Sequence, residues 1–256
     1  MGTQSIYVWA IVLVGLIGTT ATVCVLLLRG ALAAGFRRRV GTTVAVVAGT
    51  AWASWVLVSV ALADAGVYRF APAKAQPWLP AAMTVSIAAV LLASRVPAVS
   101  RILGQPDALW RLTVPQIFRV EGVTFLIVMA LGKLPAVFAV PAGLGDIAIG
   151  LEAIYVARSI RRGPPVGRRA VWFNILGLLD LAVATVIGVT AAPGVAHVLS
   201  LSPSTAQIGL LPLVLIPTTV VPLAVALHVL SLRKLAVTRT LAATTGSSSI
   251  ATPVGA

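Results

Sequence analysis

Five charged residues stand inside stretches apolar enough to lie in a membrane: Arg119, Glu121, Asp146, Glu152 and Asp180. Asn174 and His228 accompany them in similar surroundings. The chain has six carboxylates in all, and three of them fall between Pro115 and Arg158. A charge in an apolar span is costly, so it turns toward a bundle interior or a water-filled cavity, and it is a functional-site candidate by default. Two chemistries fit this set. The carboxyls can bind a proton or a cation, which is the reading for Asp146 and Asp180. Alternatively, Arg119, Glu121 and Glu152 snorkel or pair to lock the helices together.

Spacing refines these roles. Asp146 comes eleven residues after Pro135, which at about 1.5 Å per residue is roughly 16 Å into a helix and near the middle of a bilayer. At 100° per residue, Ala139, Ala142, Asp146, Gly150, Ala153 and Ala157 share one face. That stripe of small residues with one acid suits close approach of another helix. Glu152 lies about 120° around the same helix. Asp180 is ten residues into the next apolar run, again near mid-depth, with Gly177 and Ala184 on its face and Asn174 nearer the inner end. Arg119 and Glu121 are two residues apart and do not face each other on a helix. Arg119 is therefore expected to pair with Glu152 or Asp180, with Glu152 first on depth. His228 sits at a compatible depth near the inner end of the last run.

The elements that must position these residues follow from composition. Of 256 residues, 59% are hydrophobic and 10% charged, against about 25% charged in a soluble protein. Several apolar runs reach the roughly 20 residues that cross a bilayer. The formal charge of +13 does not point to nucleic acid, because the basic residues sit in short loops between apolar runs, as the positive-inside rule places them. The expectation is an all-α, polytopic membrane bundle of seven transmembrane helices, at 6–28, 43–63, 79–94, 115–132, 135–158, 170–192 and from 202–208 to 232. Sixteen of the nineteen Lys and Arg fall on or near one side by this count. Only Arg69, Lys74 and Lys133 fall on the other, which places the amino terminus outside and the carboxyl terminus inside.

Local signals add detail. The third span is short. The connector 95–114, with Ile102, Leu103, Leu109, Trp110 and Leu112, is expected to hold short interfacial helices. Gly132 should stop the fourth span, and Pro141, Gly143 and Gly145 should kink or loosen the fifth. Ser202-Pro203 reads as a cap and first helical residue. Pro212, Pro217 and Pro222 remove three backbone donors, so the seventh span should be bent or broken. Residues 1–239 form one domain on this reading, followed by a disordered inner tail at 240–256.

Two resemblances attach to quoted residues. The block from Arg119-Val-Glu-Gly to Gly132-Lys-Leu-Pro-Ala-Val-Phe-Ala-Val-Pro-Ala-Gly-Leu-Gly-Asp146 resembles a pattern in small bacterial seven-helix inner-membrane proteins, and it implies no particular activity. Gly143-Leu144-Gly145-Asp146 resembles the Gly-x-Gly-Asp element of intramembrane aspartyl proteases, the signal-peptide-peptidase, presenilin and prepilin-peptidase group. That resemblance implies two intramembrane Asp sharing a proton. The partner Asp of those enzymes precedes the motif. Here the upstream acids are Asp64 and Asp107 in loops and Glu121 in the preceding helix, whereas Asp180 follows the motif and a Pro-Ala-Leu element is absent.

Other chemistries lack their residues. A retinal linkage needs a lysine inside the seventh span, and Lys234 lies at its end. Paired haem ligands need two His at one depth, but His197 and His228 are on opposite sides. Cys24 is the only cysteine, so no intrachain disulfide or Cys-based metal site exists. No phosphate-binding Gly loop or zinc spacing is present. The sequence thus supplies no catalytic constellation, metal site or cofactor. The expected role is a small carrier or proton-linked transporter in the bacterial inner membrane, with a polar site among the fourth to seventh spans. The alternatives are a non-catalytic membrane subunit or assembly factor, and an intramembrane protease. The expected partners are the lipid bilayer and a small molecule or proton or, on the second reading, other membrane subunits; nucleic acid is not among them.

Overall fold

The structure, a computed structural model, describes residues 4–70, 77–163 and 167–248. Lys74, positions 164–166 of the Arg-rich loop and the tail from 249 lie outside the described residues. Every regular element among those described is helical. The long helices are α1 (Ile6–Ala33), α2 (Arg38–Asp64), α3 (Trp78–Ala93), α7 (Ala136–Arg162), α8 (Arg168–Thr190) and α9 (Val221–Ser248). Three short helices lie between them, α4 (Pro97–Gly104), α5 (Ala108–Thr113) and α6 (Val123–Ala130).

Six stretches are long and apolar enough to cross a membrane. Four are α1, α2, α7 and α8; the others are Ala108–Ala130, which joins α5 to α6, and Ile216–Thr238, which leads into α9. A seventh exists if α3 and α4, bent by 78°, count as one span. At 16 residues, α3 is about 24 Å long, short of the roughly 30 Å hydrocarbon core. Large apolar side chains such as Ile17, Val47, Leu57, Leu144 and Val186 are exposed, as expected where lipid replaces water around a bundle.

The bundle is not evenly packed. α7 is central, lying against α6, α8 and a 3-10 segment at Val114–Gly122. α9 closes the other side against α3, α5 and α8, and α1 covers the 3-10 segment and joins it to α2. The main apolar cluster takes Val12 and Leu16 from α1, Phe125 and Val128 from α6, Phe138 and Ala142 from α7, and Leu213 and Ile216 from the approach to α9. Phe125 and Phe138 meet edge to face, with centroids 5.2 Å apart.

Turn chemistry explains the boundaries near the core. At Gly132 the backbone takes φ +70°, and Lys133 N–H bonds back to Val128 C=O at 3.1 Å. This left-handed glycine ends α6 as its position in the sequence suggested. Pro135 then caps α7 with an extended backbone. α7 continues through Pro141 as one helix.

The last span departs from expectation in instructive ways. Ser202-Pro203 does not open it. A short 3-10 turn at Thr205–Gly209, capped by Ser204, and then turns precede a π-helical stretch at Ile216–Val220. Pro222 has no N–H for the carbonyl four residues back, Thr218. That carbonyl instead accepts from Trp55 Nε1 of α2 at 2.9 Å and from Ser86 Oγ of α3 at 3.3 Å. Side chains from two other helices therefore satisfy the break that the prolines create. At its far end α9 runs on through Ser248, so helix occupies the start of the tail expected to be disordered. The connector 95–114 does hold two short helices, α4 and α5, but α5 leads straight into the 3-10 segment rather than lying apart from the span.

Candidate functional site

The 3-10 segment sets the site. At nine residues it is longer than the three or four usual for this helix, and such stretches mark hinges or strain. With three residues per turn, positions i and i+3 eclipse. Gln116, Arg119 and Gly122 form one row, directed at α7 and α9: Gln116 Nε2 donates to Ala224 C=O at 3.0 Å, and a Cβ on Gly122 would meet the Asp146 side chain. Phe118 and Glu121 belong to a second row directed at α1, where they fill the space above Gly18 and Gly15.

Arg119, 3% exposed, gathers the first row. Its Nε donates to Asp146 Oδ1 of α7 at 2.7 Å, and its Nη2 reaches the same oxygen at 2.7 Å. Nη2 also pairs with Asp180 Oδ2 of α8. Nη1 donates to Gly177 C=O at 3.4 Å and meets His228 Nε2 of α9 at 3.2 Å. One guanidinium thus ties the 3-10 segment to three helices. Its five donors in a planar fork make this possible, where a lysine would present a point charge.

The histidine tautomer follows from its partners. A guanidinium only donates, so His228 Nε2 must accept, and Nδ1 carries the hydrogen. Nδ1 donates to Asn174 Oδ1 at 2.9 Å, and Asn174 Nδ2 donates to Ala170 C=O at 2.7 Å. The relay runs from Arg119 through His228 and Asn174 to the start of α8. Space for it comes from missing side chains. A Cβ at Gly177 would strike the His228 ring, and one at Gly145 would strike the Asp180 carboxyl. The small-residue face of α7 is where the sequence put it: Ala139, Ala142, Asp146, Gly150, Ala153 and Ala157 are all buried.

Of the seven residues expected in a polar core, Arg119, Asp146, Asp180, Asn174 and His228 meet. Glu152 does not. It pairs with Arg169 through Nε at 2.8 Å and Nη2 at 3.1 Å, at an exposed site where Arg169 also lies 3.7 Å over the Tyr155 ring. The expected Arg119–Glu152 pair is therefore replaced by Arg119–Asp146 and Arg119–Asp180. The reason is rotational: with Asp146 facing inward, Glu152 about 120° away must face out. Glu121 is buried but stands apart, with no hydrogen-bond partner on either carboxyl oxygen. Sequence reasoning missed Gln116, which would stand out only if the segment were read with a period of three.

A cavity of about 10 Å³, lined by Thr19, Gln116, Arg119, Ala224 and neighbours, adjoins the centre. That is room for about one water. Among the described residues, no group of three or more His, Cys, Asp or Glu is placed to hold a metal ion. Asp146 and Asp180 are bridged by the guanidinium. The arrangement can hold a net negative charge or exchange a proton, because one cation faces two carboxylates.

No curated protein and no solved structure matches the chain. A family model described as a domain of unknown function (DUF8737) matches residues 76–236, a stretch that holds Arg119, Glu121, Asp146, Asn174, Asp180 and His228 and leaves out α1 and α2. That match spans more than half of the sequence, and the chain belongs to the DUF8737 family.

Proposed function

We propose that this chain is a small proton-linked carrier of a bacterial inner membrane, with the amino terminus outside and the Arg-rich loops inside. One observation carries the reading. Arg119 stands between Asp146 and Asp180 on two different spans, with His228 of a third behind it. A proton landing on either aspartate would cancel one ion pair and loosen one helix from the guanidinium. Proton binding would thereby bias two arrangements of the helices, which is what coupling requires. The interrupted approach to α9 supports this, since broken helices often frame transport sites. The long 3-10 segment beneath Arg119 supports it as well.

The test uses purified protein in liposomes loaded with a pH-sensitive dye and exposed to pools of small solutes. The expected result is a solute-dependent pH change that falls at least about tenfold in Asp146→Asn and in Asp180→Asn, about 1.4 kcal/mol or more in the barrier. Both variants should remain monodisperse. If no solute moves the dye, or if both variants move it as well as wild type does, the reading is wrong.

A second reading is favoured by the closure of the site. The adjoining cavity has room for about one water, and every donor on Arg119 is engaged. On that reading the centre locks helices in a non-catalytic membrane subunit. It is distinguished by a membrane partner that co-purifies with the full chain and is retained in Asp146→Asn.

A further inference from the structure

Glu121 makes no hydrogen bond to the Arg119 centre, yet among the described residues it is the one Asp, Glu, Lys, Arg or His side chain buried with no hydrogen-bond partner on its charged atoms. It is 6% exposed, and neither carboxyl oxygen has a hydrogen-bond partner. Its carboxyl fills the space over Gly15 of α1, a residue with no side chain to donate. Arg119, two residues away, has its donors committed to Asp146, Asp180, Gly177 and His228.

Arg119 therefore acts on Glu121 only through its charge, without a hydrogen bond, and the described residues of the other elements packed on the 3-10 segment bring it no further counter-charge. α1 carries Tyr7 and Arg29 near its ends, and Cys24 faces Gly49 of α2. α5 carries Arg111, held by Asp107 at 2.7 Å. α6 has no ionisable residue. α7 brings Asp146, which repels a second carboxylate, and, farther along, Glu152, held by Arg169. Tyr155, Arg158, Arg161 and Arg162 lie beyond Glu152, toward the end of α7. From α9, His228 is engaged by Arg119 and Asn174.

A carboxylate buried without a partner is among the costliest arrangements in a protein, and the neutral acid avoids most of that cost. We propose that Glu121 is a proton-binding site on the α1 seam, holding its proton as the neutral acid in this conformation, separate from the aspartates that pair with Arg119. Thr19, one turn along α1 from Gly15, points the same way. It is buried, its hydroxyl has no partner, and it lines the water-sized cavity beside Arg119. The site needs only the burial of Glu121 and does not depend on solute transport.

The chain makes the test direct, because it has only two glutamates, Glu121 and Glu152. Full-length protein with 13C-carboxyl glutamate, in lipid nanodiscs at neutral pH, is read by isotope-edited infrared spectroscopy. The expected spectrum shows one labelled glutamate as a carboxylic acid and one as a carboxylate. Glu121→Gln should remove the acid band and leave the carboxylate band of Glu152. Two carboxylate bands in the wild-type protein would overturn the proposal, and so would an acid band that survives in Glu121→Gln. If Glu121→Gln folds poorly, Glu152→Gln at the exposed pair with Arg169 makes the assignment instead: it should keep the acid band and remove the carboxylate band, and loss of the acid band there would overturn the proposal. A failed transport assay would leave this result untouched.

Discussion

Arg119 and Glu121 are two residues apart on one 3-10 segment, both buried, and their surroundings are opposite. Arg119 looks toward α7, α8 and α9, each of which offers it an acceptor. Glu121 looks toward α1, which offers a glycine. The first face is a network in which every member has a partner, and the second is a contact of shape alone. The contrast teaches that burial by itself does not make a binding centre; what the opposing helices present decides it. It also shows how a period of three separates neighbours that an α-helix would place at a different angle.

The comparison can be broken from its stronger side. Arg119→Leu removes the cation from between Asp146 and Asp180 and leaves a buried and a half-buried carboxyl without it. It should destabilise the protein by about 3–5 kcal/mol, measured as unfolding in mixed micelles with increasing denaturing detergent. A loss near zero would mean the aspartates do not depend on Arg119. The weaker side should respond far less. Glu121→Gln keeps the shape that packs over Gly15 and removes no hydrogen bond, so it should cost about 1 kcal/mol or less. A loss as large as that of Arg119→Leu would show that Glu121 has a charged partner after all, and the contrast would collapse.

Much of the first face was legible in the sequence. The stripe of small residues around Asp146 announced a helix face made for close contact, and residue counting put Asp146 and Asp180 at one depth. The choice of acid for Arg119 was legible in part. Depth favoured Glu152, but the 120° between Asp146 and Glu152 forbids both from facing inward, and rotation outweighs depth. The second face was not legible. Nothing in Val-Pro-Gln-Ile-Phe-Arg-Val-Glu-Gly distinguishes a 3-10 run from an α-helix, so the row of Phe118 and Glu121 against α1 was hidden.

The last span shows the same limit. Pro212, Pro217 and Pro222 declared that donors were missing. Where the helix could resume depended on Trp55 and Ser86 supplying donors to Thr218 from α2 and α3, a contact between distant parts of the chain. The family match covers the Arg119 centre and stops short of α1 and α2, so Gly15, which faces Glu121, lies outside the matched residues.

The most direct test of the Arg119 centre is a double-mutant cycle between Arg119→Gln and Asp146→Asn, followed by unfolding in mixed micelles, with the same cycle for Asp180→Asn. The account predicts coupling of about 2 kcal/mol or more for each pair, since both carboxyls share one guanidinium. Additivity within about 0.5 kcal/mol for both cycles would contradict it, because independent sites add to that accuracy.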